Sequence, residues 1–216
     1  MSADLPLDAG MPVIVQAPDY KSVSRAVERM RRYGTNIAAF VAADAETSQH
    51  DGLPIFRLIA DAMAATAAPA CVSFAARRNA ADIALEAARS GIRLIVSVTA
   101  GVPIHDTLRV HRHIRDLGTT WINSGTSGLA RPSARLLLGY VPETVLRPGN
   151  TALISDCGSL GAEAALQMCD SGLGQSLFID IGHGPVKGTR MAAMPNYLAA
   201  DPETRSIALL ENPYGQ

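Results

Sequence analysis

The sequence predicts an α/β protein built as two consecutive strand–helix units, the second shorter than the first. Three observations predict it. Short apolar runs recur along the chain, each followed by a stretch with helical spacing, and each joint is short and rich in glycine. Strands that alternate with helices in this way form a parallel sheet. The composition agrees, since alanine is abundant while aromatic residues make up only 5% of the chain.

The elements follow in order. Met11 to Gln16 is a strand-like apolar run, and Ser22 to Tyr33 is a basic helix ended by Gly34, with Val23, Val27 and Met30 on its inner face. Ile37 to Val41 is a second strand, and Thr47 to Asp51 is a polar loop. Leu53-Pro-Ile-Phe56 leads into a helix over Arg57 to Thr66. Ala70 to Phe74 is a third strand, Asn79 to Ser90 a helix, and Leu94 to Val98 a strand after Gly91. A helix over Ile104 to Asp116 and a short strand near Thr120-Trp-Ile122 complete the first unit, assigned to residues 1–129. Residues 130–150, rich in Pro, Arg and Leu, read as an ordered crossover. The second unit, 151–216, runs strand, helix, strand, helix, strand.

With 216 residues the chain can bury one large or two small cores, and with a hydrophobic content of 48% and a net charge of −1 it is expected to be globular. That balance argues against nucleic acid or an anionic membrane surface as partner. No apolar run reaches the roughly 20 residues that a membrane helix needs. Cys71, Cys157 and Cys169 have neither disulfide-framework nor metal-ligand spacing, so no metal is expected. A reducing cytoplasm suits them, and the acidic start MSADLPLD lacks the apolar core of a signal peptide.

The stretch from Thr151 to Arg190 carries the chemistry. Thr151-Ala-Leu-Ile154 is a buried strand, Ser155-Asp-Cys-Gly-Ser159 a tight turn, and a helix follows until Gly172 and Gly174. Gln175 to Ile181 is the next strand, with Gly182-His-Gly184 as a second glycine turn. A strand–turn–helix of this kind presents free N–H groups and a positive dipole end to an anion. Ser155, Cys157, Gly158 and Ser159 would face Gly182, His183 and Gly184 around a phosphate. The turn also reads as an ordinary junction with Ser159 as a helix cap.

These residues also carry a resemblance. Ser155-Asp-Cys-Gly-Ser-Leu160, Gly172-Leu-Gly-Gln-Ser176, Asp180-Ile-Gly-His-Gly-Pro-Val-Lys-Gly188 and Asp201-Pro-Glu-Thr204 follow the order and spacing of motifs in the α subunit of succinyl-CoA synthetase (succinate–CoA ligase). Gln16, Tyr33-Gly-Thr35, Gly52-Leu-Pro54, Ala88 to Ile95 and Thr99 to Pro103 extend the resemblance over most of the chain. It implies a Rossmann-like CoA-binding-type domain followed by a shortened flavodoxin-like domain. It further implies CoA as cofactor, with phosphate or nucleotide arriving through a partner subunit and a small carboxylate or phosphorylated compound as ligand. The CoA-side positions are Gln16, Lys21, Ser73, Arg77, Arg78 and Thr99.

The sequence departs from that family at defined places. The family's glycine-rich turn after the first strand is here Ala17-Pro-Asp-Tyr-Lys-Ser-Val23, so the backbone is held farther from a phosphate and Asp19 repels one. Its Pro-Asn-Cys-Pro-Gly segment is Ser124-Gly-Thr-Ser-Gly128, and the glutamate of its Thr-Glu-Gly is Ala100. The family's phosphorylated histidine has no counterpart, and the supporting glutamate aligns near Asn212 or Glu211. His183 and Cys157 are the remaining catalytic candidates. His111 and His113, two apart on a basic helix, read as solvated, while His50 lies in a polar loop and His105 begins a helix. The resemblance thus implies an acid–thiol ligase subunit, inactive alone. A non-catalytic scaffold that kept the fold is the alternative, as is a relative of the FdrA-like proteins associated with carbamoyl transfer. Ser206 to Glu211 reads as an interior strand, apolar on both faces, that a partner subunit or a second copy would cover. Residues 212–216 and the 130–150 crossover are the other candidates to cover it.

Overall fold

The computed structural model describes residues 5–123 and 125–211. The first strand, β1 (Pro12–Gln16), is buried along four of its five residues and lies at the middle of a seven-stranded sheet. It enters α1 (Tyr20–Tyr33), which starts at Asp19, whose Oδ1 accepts from Ser22 N at 2.8 Å, and stops at Gly34, with φ at +128°. Next come β2 (Asn36–Val41), the short β3 (Gln49–His50), β4 (Leu53–Phe56), α2 (Ile59–Thr66), β5 (Ala70–Ser73), α3 (Ala80–Arg89), β6 (Leu94–Ser97), α4 (Ile104–Asp116) and β7 (Thr120–Ile122). The order across the sheet is β3-β4-β2-β1-β5-β6-β7, parallel except for β3, which pairs antiparallel with β4. Leu53 to Phe56, expected only to lead into a helix, is itself a parallel strand beside β2, and the helix begins later at Ile59. Part of the loop around residue 49 is drawn into that edge as β3.

Helices α2, α3 and α4 cover one face of this sheet with a second, alanine-rich core built on Ile59, Ala84, Ala88, Val110 and Ile114. The opposite face carries α1 through Val23, Val27 and Met30, and there the core continues without a break into the second sheet.

That second sheet contains β8 (Gly128–Arg131), β9 (Leu136–Gly139), β10 (Pro148–Ser155), β11 (Gln175–Asp180) and β12 (Ser206–Leu210), in the order β12-β10-β11-β8-β9. Helix α5 (Gly158–Asp170) follows β10, and the five-residue α6 (Met194–Leu198) precedes β12. β10, β11 and β12 are parallel, while β8 and β9 form an antiparallel hairpin on β11. Much of the stretch read as a crossover is thus sheet: a tight turn at Pro132 to Arg135, with Arg135 at φ +51°, closes the hairpin. The hairpin lies at the opposite edge from β12, so it does not cover that strand. Residues 212–216 lie outside the described residues.

The hairpin packs on α1. Thr35 Oγ1 donates to Leu137 O and accepts from Leu137 N, both at 2.9 Å, and Gly139 N–H points at Met30 Sδ at 3.5 Å. Gly34 must be glycine for packing as well as for φ, because a Cβ there would fall 2.8 Å from Arg135 Cβ.

Candidate functional site

The C-terminal ends of β6, β10 and β11 open on one cleft of about 600 Å³ between the two sheets. Val98 and Ala100 line it from the first sheet, Gly125 to Ser127 and Tyr140 from the hairpin side, and Asp156 to Ser159, Asp180 and His183 from the second. Ligands of parallel α/β sheets bind at such strand ends.

The turn into α5 is the core of this site. Cys157 takes the cap position with extended backbone, but no side chain caps the helix. The N–H groups of its first turn therefore face the cleft with no partner inside the helix. Ser155 turns inward instead: it is fully buried, its hydroxyl donates to Cys157 O at 2.8 Å and accepts from Cys157 N at 3.0 Å. Of the two serines in the turn, it is Ser159 whose hydroxyl stands near the cleft, 3.5 Å from Cys157 Sγ.

Two buried carboxylates flank the turn, and the sequence reading passed over both. Asp180 Oδ2 accepts from Ser127 N at 2.6 Å and its Oδ1 from Gly182 N at 3.0 Å, so it ties the start of the hairpin to the end of β11. A Cβ on Gly158 would lie 2.7 Å from that Oδ2, which places the carboxylate against the first residue of α5. Asp156 pairs with Lys187 at 3.3 Å, and Lys187 also donates to Gly182 O at 2.8 Å. The helix dipole draws an anion to this cleft while Asp180 repels one. Gly182 spends both backbone groups on Asp180 and Lys187, and the buried Gly184 lies beyond it. His183 is exposed and packs against Gly125, where a Cβ would collide with its ring. The signal that betrays Asp180 is local: an aspartate two residues before a glycine folds an Asx turn onto that glycine's N–H.

On the first sheet the CoA-side candidates fall into two sets. Gln16, Ser73 and Thr99 stitch the strand ends together: Ser73 Oγ donates to Gln16 Oε1 at 2.7 Å, and Thr99 Oγ1 to Ala75 O at 2.5 Å. Lys21, Arg77 and Arg78 stay exposed at the starts of α1 and α3. The Arg77 guanidinium lies across the turn after β6, 3.2 Å from where a Cβ on Gly101 would be. Ser124 lies outside the described residues, as does Asn212; Glu211 is exposed. Among the other histidines, His113 is exposed with Nδ1 2.8 Å from Arg109 O, and His111 is half-buried beside Lys187 and Arg190 in a separate groove.

Burial pushes the thiol of Cys71 up to about 12, with the Glu86 carboxylate adding to it, so that cysteine is inert. Among the described residues no three His, Cys, Asp or Glu side chains form a metal site, and no helix is long and apolar enough to cross a membrane.

The comparisons with known proteins agree with this layout. A family model described as a CoA binding domain matches residues 18–101, which take in α1 and the strand ends that carry Ser73, Arg77, Arg78 and Thr99. The α subunit of malate–CoA ligase from Methylorubrum extorquens is 31% identical over 208 residues, 94% of this chain and 70% of that subunit. An ADP-forming succinate–CoA ligase α subunit from Archaeoglobus fulgidus is 33% identical over 183 residues, 85% of this chain and 63% of that one. Among solved structures, an ATP citrate lyase variant from Methanosaeta concilii in complex with (3S)-citryl-CoA superposes with a TM-score of 0.83 at 20% identity, covering 96% of this chain and 37% of the lyase. A dinucleotide-forming acetyl-coenzyme A synthetase from Ca. Korarchaeum cryptofilum, with phosphate and ADP, gives 0.76 at 18% identity over 91% of this chain and 43% of its own. These two matches speak for the fold: a Rossmann-like CoA-binding-type domain followed by a shortened flavodoxin-like one. The malate–CoA ligase match speaks for kinship, and by it this chain belongs to the α-subunit family of succinate–CoA and malate–CoA ligases.

Proposed function

We propose that the chain is an α-type subunit of a multi-subunit acyl-CoA ligase, which joins a small carboxylate to CoA by way of an acyl phosphate. One observation supports this most. The alignment with the malate–CoA ligase α subunit runs over 94% of the chain, so it includes the second sheet and the cleft as well as the CoA-binding-type domain. In this reading Lys21, Arg77 and Arg78 grip the phosphates of CoA at the rim of the first sheet. Gln16, Ser73 and Thr99 hold that rim rigid. The first-turn N–H groups of α5, with Ser159, receive the phosphoryl group, and a partner subunit brings the nucleotide. His183 and Cys157 stand in the cleft with Tyr140 and the two aspartates.

A second reading has its own observation. The α1 N-terminus is already satisfied by Asp19, and Asp180 sits against the α5 N-terminus. Both carboxylates weaken anion binding, which favours a binding or scaffold subunit that kept the fold without the chemistry.

Calorimetry separates the two. If the chain handles CoA, it binds CoA, and Arg77→Ala with Arg78→Ala weakens that binding about tenfold, or about 1.4 kcal/mol. Inorganic phosphate raises the melting temperature, and Ser159→Asp removes that rise by placing a carboxylate at the helix start. If CoA gives no heat and phosphate no shift, the scaffold reading stands.

A further inference from the structure

A separate groove of about 540 Å³ adjoins the cleft, and Asp156 lines both. Its volume is that of a small-molecule site. Its apolar lining comes from Leu108 of α4, Ile181 just past β11, and Val186 and Met191 in the segment that follows. Leu108 is 41% exposed there and belongs to neither core. The segment is pinned in place. Gly188 N donates to Asn123 Oδ1 at 2.6 Å, Thr189 Oγ1 donates to Trp121 O at 2.9 Å, and a Cβ on Gly188 would fall 2.3 Å from Trp121 O. The groove is therefore formed in advance of any ligand, which lowers the cost of binding one.

Two cations serve this groove. The Lys187 side chain is only 18% exposed. An ammonium group has three donors; two go to Asp156 Oδ2 at 3.3 Å and Gly182 O at 2.8 Å, and one remains. Arg190 is exposed, and its guanidinium has no hydrogen bond or ion pair among the described residues. Of the two carboxylates that line the groove, Asp156 is balanced by Lys187, and Glu211 is exposed to solvent. His111, half-buried, shares a face of α4 with Leu108 and adds an imidazole beside the cations.

We propose that this groove holds the acid that the ligase activates, and that the acid is a monocarboxylate with an apolar body. The carboxylate takes the spare donor of Lys187 and the guanidinium of Arg190, and the body lies on Leu108, Val186 and Met191. Lys187 touches Asp156, which immediately precedes the cap residue of α5, so the carboxylate end lies beside the turn that receives the phosphoryl group. A dicarboxylate suits the groove less, because its second charge would rest on apolar side chains or against Glu211. The role of this acid rests on the ligase reading above; its binding does not.

Calorimetry on the full chain with hexanoate, succinate and hexylamine tests this. Hexanoate binds, succinate binds at least about tenfold more weakly, and hexylamine gives no heat. Arg190→Ala weakens hexanoate binding about tenfold, and Leu108→Asp abolishes it. Both side chains are exposed, so circular dichroism and the melting temperature of each variant stay at wild-type values. The proposal is overturned if hexanoate gives no heat, if its binding ignores either substitution, or if succinate or hexylamine binds as tightly. The titrations with CoA and phosphate keep the two readings apart. If those ligands bind and hexanoate does not, the ligase reading stands and this inference falls. If hexanoate binds and CoA does not, the site stands and its role falls with the ligase reading.

Discussion

The chain contains the same junction twice, and the two copies end differently. β1 runs into α1 through Ala17, Pro18 and Asp19; β10 runs into α5 through Asp156 and Cys157. Each is a central parallel strand feeding a helix at the C-terminal edge of its sheet. In the first, Asp19 reaches over the helix start and accepts the N–H of Ser22. In the second, the cap residue has extended backbone, φ −138° and ψ 106°, but offers a thiol and makes no side-chain cap bond. One helix end is satisfied from within the chain; the other is left to water or a ligand. In both, the strand lies between two parallel neighbours and feeds a helix, so the cap residue is what separates a closed junction from an open one.

The sharpest way to break this comparison is Ser155→Asp. It lies at the open junction but faces the core, fully buried beside Gly161, where a Cβ would sit 2.9 Å from its own Cβ. An unpaired carboxylate there costs about 3 kcal/mol, which urea denaturation will read as a lower midpoint at unchanged slope. If stability is unchanged, the junction is looser than described. Asp19→Ala opens the closed junction and costs about 1 kcal/mol by loss of the cap, measured in the same way. Cys157→Ser does the reverse. A hydroxyl at an extended cap position stabilises α5 by about 0.5 kcal/mol, and a loss of stability in that variant would show that the thiol is held in place by packing.

The smallest effect comes from a carboxylate remote from both junctions. Asp201 is buried, which alone would raise its pKa, but hydrogen bonds from Thr204 and Arg131 and the charge of Arg131, 2.5 Å away, hold it below the ordinary carboxylate value. A carboxyl that is more acidic folded than unfolded adds stability above its unfolded pKa and loses it as the pH falls through the folded one. Asp201→Asn should therefore flatten the acid limb of a stability-versus-pH curve while leaving the neutral-to-alkaline shape alone.

The helices and most strands were legible because their signals are local. α4 and β7 fall on the residues that periodicity assigns, and Gly34 stops α1 where a positive φ is needed. The β8–β9 hairpin was not legible. Its strands have four residues each, and Leu136-Leu-Leu138 carries no alternation because all three side chains are buried. The candidate site was half legible. Glycine and serine spacing located the α5 turn, but spacing does not say which way Ser155 points, and that depends on the close approach of Gly161. Asp180 and Asp156 were missed for a similar reason. An aspartate at a strand end looks solvated until the partner that buries it, Ser127 or Lys187, arrives from a distant part of the chain.

The clasp between Thr35 and Leu137 has a consequence for how the molecule comes apart. Both backbone groups of one hairpin residue are held by a hydroxyl from the end of α1, inside a core that the two sheets share. Neither half can melt while the other stays intact, because loosening β9 uncovers Met30 and Val27, and loosening α1 leaves the amide and carbonyl of Leu137 dry and unbonded. The chain should lose its structure in one cooperative transition, with amides of β1 and β11 exchanging hydrogen at the same global free energy. A protease that attacks only the unfolded form would find no half-folded species to trim.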